Sequence, residues 1–131
     1  MDISESVEAL LSSKALVIEH LYDRLFESRP DLRQHFENRD MRIQASMLTV
    51  ALASVEAYYS QRFPATGHYL KVLGNRHFHE GVRTEDYAAF REALIGTLQE
   101  FFAETWDQPL ANQWHEALDL AIETMMEGYE I

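Results

Sequence analysis

The chain has 131 residues, with 22 acidic side chains against 11 basic ones and a formal net charge of −11. With 47 % hydrophobic and 25 % charged residues it has the profile of one folded domain over residues 1–131, not of a disordered chain. The acidity disfavours nucleic acid and anionic membranes as partners, and the absence of cysteine excludes disulfides, thiolate catalysis and cysteine metal sites.

Met1-Asp2-Ile3-Ser4-Glu5 is acidic and lacks the basic start of a signal peptide. No apolar run approaches the roughly 18 residues that a membrane span requires. A cytoplasmic location is expected, and the missing thiols fit it.

Five glycines and three prolines leave long uninterrupted stretches, which favours helices. A short first helix is predicted from Ser4 to Leu11, with Asp2 and Ser4 as candidate caps. Leu16, Val17, Leu21, Leu25 and Phe26 recur at helical spacing and predict a helix from Lys14 to Glu27. Ser28-Arg29-Pro30 stops it, and Pro30 suits the first turn of a short helix to Phe36. Asn38 and Asp40 are candidate caps for a long helix reaching Tyr59, with Leu48, Ala51, Leu52, Val55 and Tyr58 as its apolar stripe. Pro64 and Gly67 mark a loop, followed by a helix from His68 to His79 that Gly81 stops. Thr84 is expected to cap a helix running to Glu104 through Tyr87, Phe90, Leu94, Leu98 and Phe101. Asp107 and Pro109 open the last helix, where Trp114, Leu118, Ala121, Ile122 and Met125 share a face. No segment alternates with period two, so the expected class is all-α.

The chemistry centres on Leu73-Gly74-Asn75-Arg76-His77-Phe78-His79-Glu80-Gly81-Val82, followed by Thr84-Glu85-Asp86-Tyr87. A histidine near a helix end, ahead of a glycine turn, can point an imidazole nitrogen into a pocket between two helices. A haem iron needs that arrangement on its proximal side. A lone helical histidine is more often a core or surface residue, so the argument needs further residues. Three join it: Tyr22 in Leu21-Tyr22-Asp23-Arg24-Leu25-Phe26, Phe36 at the end of the short helix, and Gln44 eight residues later.

With these in order, the chain resembles the globins, and more narrowly the single-domain bacterial haemoglobins and the haem domain of flavohaemoglobins. The resemblance runs from about Leu21 to Met126. Phe36 matches the phenylalanine packed on the haem face at the helix corner. Gln44 matches the distal position, Leu48 its apolar neighbour one turn later, and Tyr22 the distal tyrosine. His77 matches the proximal ligand within a Leu-Gly-x-Arg-His-x-x-x-Gly-Val pattern, and Tyr87 the tyrosine ten residues beyond it. Trp106 and Trp114 fit aromatic positions of the last helices.

Three departures stand out. The stretch before Tyr22 is a turn or two short, which predicts a shortened first helix. The span from Gln44 to His77 is one residue longer, placed between Gln61 and Thr66. The family's proximal glutamate would align at Tyr129 or next to it, with Glu127 and Glu130 out of register.

The resemblance implies helices packed around a haem pocket, with haem b held by His77 as the metal ligand. The cofactor-binding set it implies is Phe36, Gln44, Leu48, Leu73, Arg76, His77, Val82, Tyr87, Phe90 and Leu94. Tyr22 and Gln44 would donate to a bound dioxygen, which favours slow release. Arg76, Arg83 and Arg42 are the nearest cations for the haem propionates.

The implied activity is reversible binding of oxygen and other diatomic gases, with nitric oxide dioxygenation to nitrate as the implied reaction and a separate reductase as partner. Oxygen storage, delivery or gas sensing without turnover is the rival. A haem-free globin acting as an interaction module and a plain helical bundle are two more.

Each residue also fits a plainer role. Phe36 and Tyr22 would suit any helical core, and Gln44 a solvated helix face. His79 and Glu80 are expected at the surface. His20, His35, His68 and His115 show no mutual ligand spacing, with His68 a second candidate at the pocket rim. Met41, Met47, Met125 and Met126 are expected as core filler.

Overall fold

The computed structural model describes residues 1–13 and 17–130. Among them there is no strand. Helix α1 (Ile3–Ser12) opens on a capping box. The Asp2 carboxylate accepts from the Glu5 N–H at 2.9 Å, and Glu5 accepts from the Asp2 N–H at 3.1 Å. Asp2, not Ser4, is therefore the cap. The helix turns Ile3, Ser6, Val7 and Leu10 inward. The buried Ser6 hydroxyl donates to the Ile3 carbonyl and accepts from the Trp114 indole N–H at 3.0 Å, which pins α1 to the last helix.

Helix α2 covers Glu19–Ser28. Of the predicted Lys14–Glu27 helix, Lys14, Ala15 and Leu16 lie outside the described residues. Val17 and Ile18 form a buried turn ahead of α2, whose N-cap position falls on Ile18 without a side-chain cap. A 3-10 helix, Pro30–Phe36, turns the chain, and Pro30 sits in its first turn as expected.

Helix α3 (Met41–Gln61) is capped by Asp40, whose carboxylate accepts from the backbone of Arg42 and Ile43. Asn38 instead takes a left-handed turn at φ 65°. Helix α4 (Pro64–His79) begins one turn earlier than the composition suggested. Pro64 is a first-turn residue, not a loop residue, since its missing N–H would be unpaired there anyway. Gly67 lies inside α4, where a Cβ would come within 2.8 Å of the Tyr58 ring.

Helix α5 (Asp86–Phe102) starts two residues after Thr84, which does not cap it. The Asp86 carboxylate accepts from the Arg83 N–H at 2.9 Å instead. A 3-10 turn, Ala103–Thr105, replaces the predicted extension to Glu104. Helix α6 (Gln108–Glu127) is capped by Asp107 and continues into a 3-10 turn, Gly128–Glu130.

Two helix crossings frame the interior. Helix α2 packs on α5, where Arg24 pairs with Glu100. Helix α4 packs on α6 and on the turn behind it. That crossing is unusually close: a Cβ on Gly74 would fall 1.9 Å from the Met125 carbonyl oxygen, and one on Gly128 would fall 2.1 Å from that of Lys71. Among the described residues no helix is long and apolar enough to cross a membrane.

Candidate functional site

A cavity of about 230 Å³ lies between α3 on one side and α4, α5 and α6 on the other. Helix α2 and the 3-10 corner close one end of it. The exposed Met47 and Tyr69 stand at its mouth.

Tyr22 comes from α2 and Phe36 from the end of the 3-10 helix. Their rings meet edge to face, with centroids 5.2 Å apart, and Phe26 packs on Phe36 at 5.4 Å. This aromatic corner holds Tyr22 against the cavity. Gln44 and Leu48, one turn apart on α3, line the same wall. The Gln44 amide nitrogen donates to the Tyr22 hydroxyl at 3.3 Å, and Arg39 donates to the Gln44 carbonyl oxygen at 3.4 Å. Burial pushes the Tyr22 phenol up to about 12, even though the Gln44 bond and the Arg39 charge pull the other way. Tyr22 is therefore a protonated donor at neutral pH.

The opposite wall carries Leu73, Arg76 and His77 from α4, Val82 from the following turn, and Tyr87 and Phe90 from α5. Local sequence explains the turn. Gly81 has φ +85°, the Val82 N–H bonds back to the His77 carbonyl at 3.0 Å, and the Gly81 N–H bonds to Phe78 at 3.1 Å. This is a Schellman stop, whose left-handed position favours glycine at Gly81.

His77 Nδ1 lies 2.9 Å from the Tyr87 hydroxyl. The Tyr129 hydroxyl in turn lies 3.1 Å from that of Tyr87 and 2.9 Å from the Val82 carbonyl. Burial holds His77 below the usual histidine range, partly offset by Glu80 and reinforced by Arg76, His35 and Arg39, so its ring is neutral at pH 7. With Nδ1 engaged, Nε2 is the nitrogen left to meet a ligand. Among the described residues no group of three or more His, Cys, Asp or Glu could hold a metal ion. A metal at His77 must therefore bring its other ligands with it, as an iron porphyrin does. The lining is mostly apolar with a few polar groups, the character of a site for an apolar ligand.

Most of the residues singled out by sequence thus face one cavity. Leu94 does not. It is fully buried in the core two turns beyond Tyr87, about 10 Å further along α5, where the helix has passed the cavity. Among the proposed anion partners only Arg76 lines the cavity. Arg83 pairs with Asp31, Glu85 and Asp86, and Arg42 is exposed on the first turn of α3 outside the lining.

Arg39, which the sequence did not single out, and His35, which it read as a structural or surface residue, line the cavity instead, and Arg39 pairs with Glu80 at 3.6 Å. Glu80 is exposed as expected yet borders the opening. His68 is exposed and does not reach the cavity. Met47 is 56 % exposed at the mouth and is not core filler, whereas Met125 is buried.

An all-helical fold around a histidine and an opposing tyrosine–glutamine pair defines a class of pocket. The globin family model matches residues 19–125, and the chain belongs to the globin family. The chain is 24 % identical over 127 residues to a flavohemoprotein of Chromobacterium violaceum, a match covering 95 % of this chain and 31 % of that protein. It is 42 % identical over 50 residues to an anaerobic nitrite reductase of Casuarina glauca, covering 38 % of this chain and 31 % of that protein. In fold it is similar to a flavohemoglobin of Malassezia yamatoensis solved with bound FAD and heme. That similarity has a TM-score of 0.70 at 16 % identity and covers 98 % of this chain and 36 % of that one. The chain spans about a third of the length of the two flavohemoproteins, and the shorter match covers about a third of the nitrite reductase.

Proposed function

We propose that this globin binds haem b, with His77 Nε2 as the protein ligand to iron, and that it binds oxygen and other diatomic gases reversibly. The observation that carries the reading is the opposition of His77 to the Tyr22–Gln44 pair across an apolar cavity. A haem iron supplies the gas-binding coordination position that the side chains themselves lack.

The chain's own residues do the rest. Tyr22 offers a hydroxyl hydrogen to a polarised ligand, and Gln44 orients that hydroxyl. Leu48 and Phe36 would exclude water, while Arg76, His35 and Arg39, which line the cavity, would be the cations or donors available to carboxylate substituents of the ring.

The reaction proposed for the pocket is nitric oxide dioxygenation, in which nitric oxide, dioxygen and one electron give nitrate. The electron comes from a reductase, and the similarity to flavohemoproteins supports that class of partner.

Oxygen storage or sensing without turnover is the second reading. It is favoured by a proximal hydrogen-bond chain that contains phenols and a backbone carbonyl but no carboxylate among the described residues.

The visible absorption spectrum of the purified protein tests haem binding directly. His77→Gly should lose most of the haem or need added imidazole to keep it, and an unchanged Soret band in that variant defeats the assignment. Sustained nitric oxide consumption with a reductase and nicotinamide separates the two functional readings. A single turnover followed by stable ferric protein favours storage or sensing.

A further inference from the structure

The hydrogens on the His77 side can be assigned from one acceptor. The Val82 carbonyl only accepts, so the Tyr129 hydroxyl at 2.9 Å donates to it. A phenol has a single hydrogen. Across the 3.1 Å contact Tyr129 must then accept, and Tyr87 donates. With its hydrogen committed, Tyr87 meets His77 Nδ1 at 2.9 Å as an acceptor. The ring hydrogen therefore sits on Nδ1, and the Nε2 lone pair is free.

The anchor of this chain is itself tied to His77, because the Val82 N–H bonds to the His77 carbonyl at 3.0 Å. Tyr129 is held in place by edge contacts with Phe78 at 5.3 Å and Tyr87 at 6.2 Å. The close crossing at Gly74 and Gly128 brings its turn over α4. In addition, Asn75 donates to the Gly128 carbonyl at 3.1 Å.

We propose that Tyr129 is a positioning residue for His77. By taking the Tyr87 hydrogen and giving its own to the Val82 carbonyl, it fixes the imidazole as the Nδ1–H tautomer with Nε2 available to a metal. A donating Tyr87 is also a better acceptor, so Tyr129 strengthens the Nδ1–H bond and raises the basicity of Nε2. The assignment of a metal to Nε2 rests on the haem reading above, whereas the tautomer does not.

Tyr129→Phe keeps the ring packing and removes only the hydroxyl. In the ferrous haem-loaded protein, resonance Raman spectra should show a lower iron–histidine stretching frequency in this variant. The reduction potential should rise, and haem loss should be faster by about tenfold. Tyr87→Phe should move the same observables further in the same direction. A stretching frequency and potential equal to wild type in Tyr129→Phe would overturn the proposal.

If the wild-type protein takes up no haem, the functional reading fails and the tautomer is still decidable. Nitrogen-15 NMR of the His77 ring in the protein as purified should show hydrogen on Nδ1 in wild type. Tyr129→Phe should show a mixture of both tautomers. Hydrogen on Nε2 in the wild type, or no change in the variant, would refute it.

Discussion

The two sides of the cavity carry hydrogen-bond chains of opposite construction. On the His77 side three contacts of 2.9, 3.1 and 2.9 Å end on a backbone carbonyl inside a glycine-stopped turn. On the Tyr22 side two longer contacts, 3.4 and 3.3 Å, begin at the partly exposed side chain of Arg39. Each chain is directed by a group that works one way only. The carbonyl accepts, which leaves a lone pair at His77 Nε2. The guanidinium donates, which turns the Gln44 carbonyl oxygen toward Arg39 and its amide nitrogen toward Tyr22. Tyr22 then accepts and keeps its own hydrogen for the cavity. One wall presents a lone pair and the other a hydrogen, and the first is held more tightly than the second.

The largest effect should come from breaking the tight wall. Gly74→Ala places a methyl carbon where the Met125 carbonyl already is, and should destabilise the fold by about 3 kcal/mol in a denaturant titration. An unaltered midpoint would mean that the α4–α6 crossing has slack and that the two walls do not differ in stiffness.

On the other wall, Tyr22→Phe should speed oxygen dissociation about tenfold, since it removes the direct donor. Gln44→Leu should speed it less, about threefold, because Gln44 acts through Tyr22. Equal effects of the two substitutions in stopped-flow displacement would show that Gln44 contacts the ligand itself.

The smallest effect concerns pH. Burial raises the Tyr22 phenol to about 12, so the donor is intact below that value and lost only as pH rises through it. Oxygen dissociation should therefore stay flat from about pH 7 to about pH 10, where an exposed phenol would be half ionised.

Much of the fold was legible because its signals are local. The Asp2 cap, Pro30 in a first turn, Asp40 and Asp107 at helix starts, and the stripe of α6 are all written in consecutive residues. The start of α2 was not, because Val17 and Ile18 are apolar and in phase with the helix yet are buried in a turn. The start of α4 was obscured because proline serves both loops and first turns.

The cavity residues from Gln44 and Leu48 to His77 emerged from the resemblance to the globins, whose residue order and spacing they match. Leu94 shared that spacing, but periodicity gives the face of a helix and not the depth at which a cavity ends. Arg39 has no periodic signature at all, since it sits in the connection before the Asp40 cap. Tyr129 was visible only as an expected glutamate out of place. Its role depends on how α6 crosses α4, which no local pattern encodes.

The Arg39–Glu80 pair gives the pocket a link to the medium outside it. At 3.6 Å, with both partners partly in water, this contact is weakened by dissolved salt over a screening length of about 8 Å at physiological ionic strength. Arg39 is shared between Glu80 and Gln44, so ions that loosen one contact change the other. The chain from His77 through Tyr87 and Tyr129 to Val82 is built of neutral groups and contains no ion pair. Ionic strength thus acts through Arg39 on the hydrogen that Tyr22 offers, and reaches the opposite side only through the charges around His77, not through its hydrogen-bond chain.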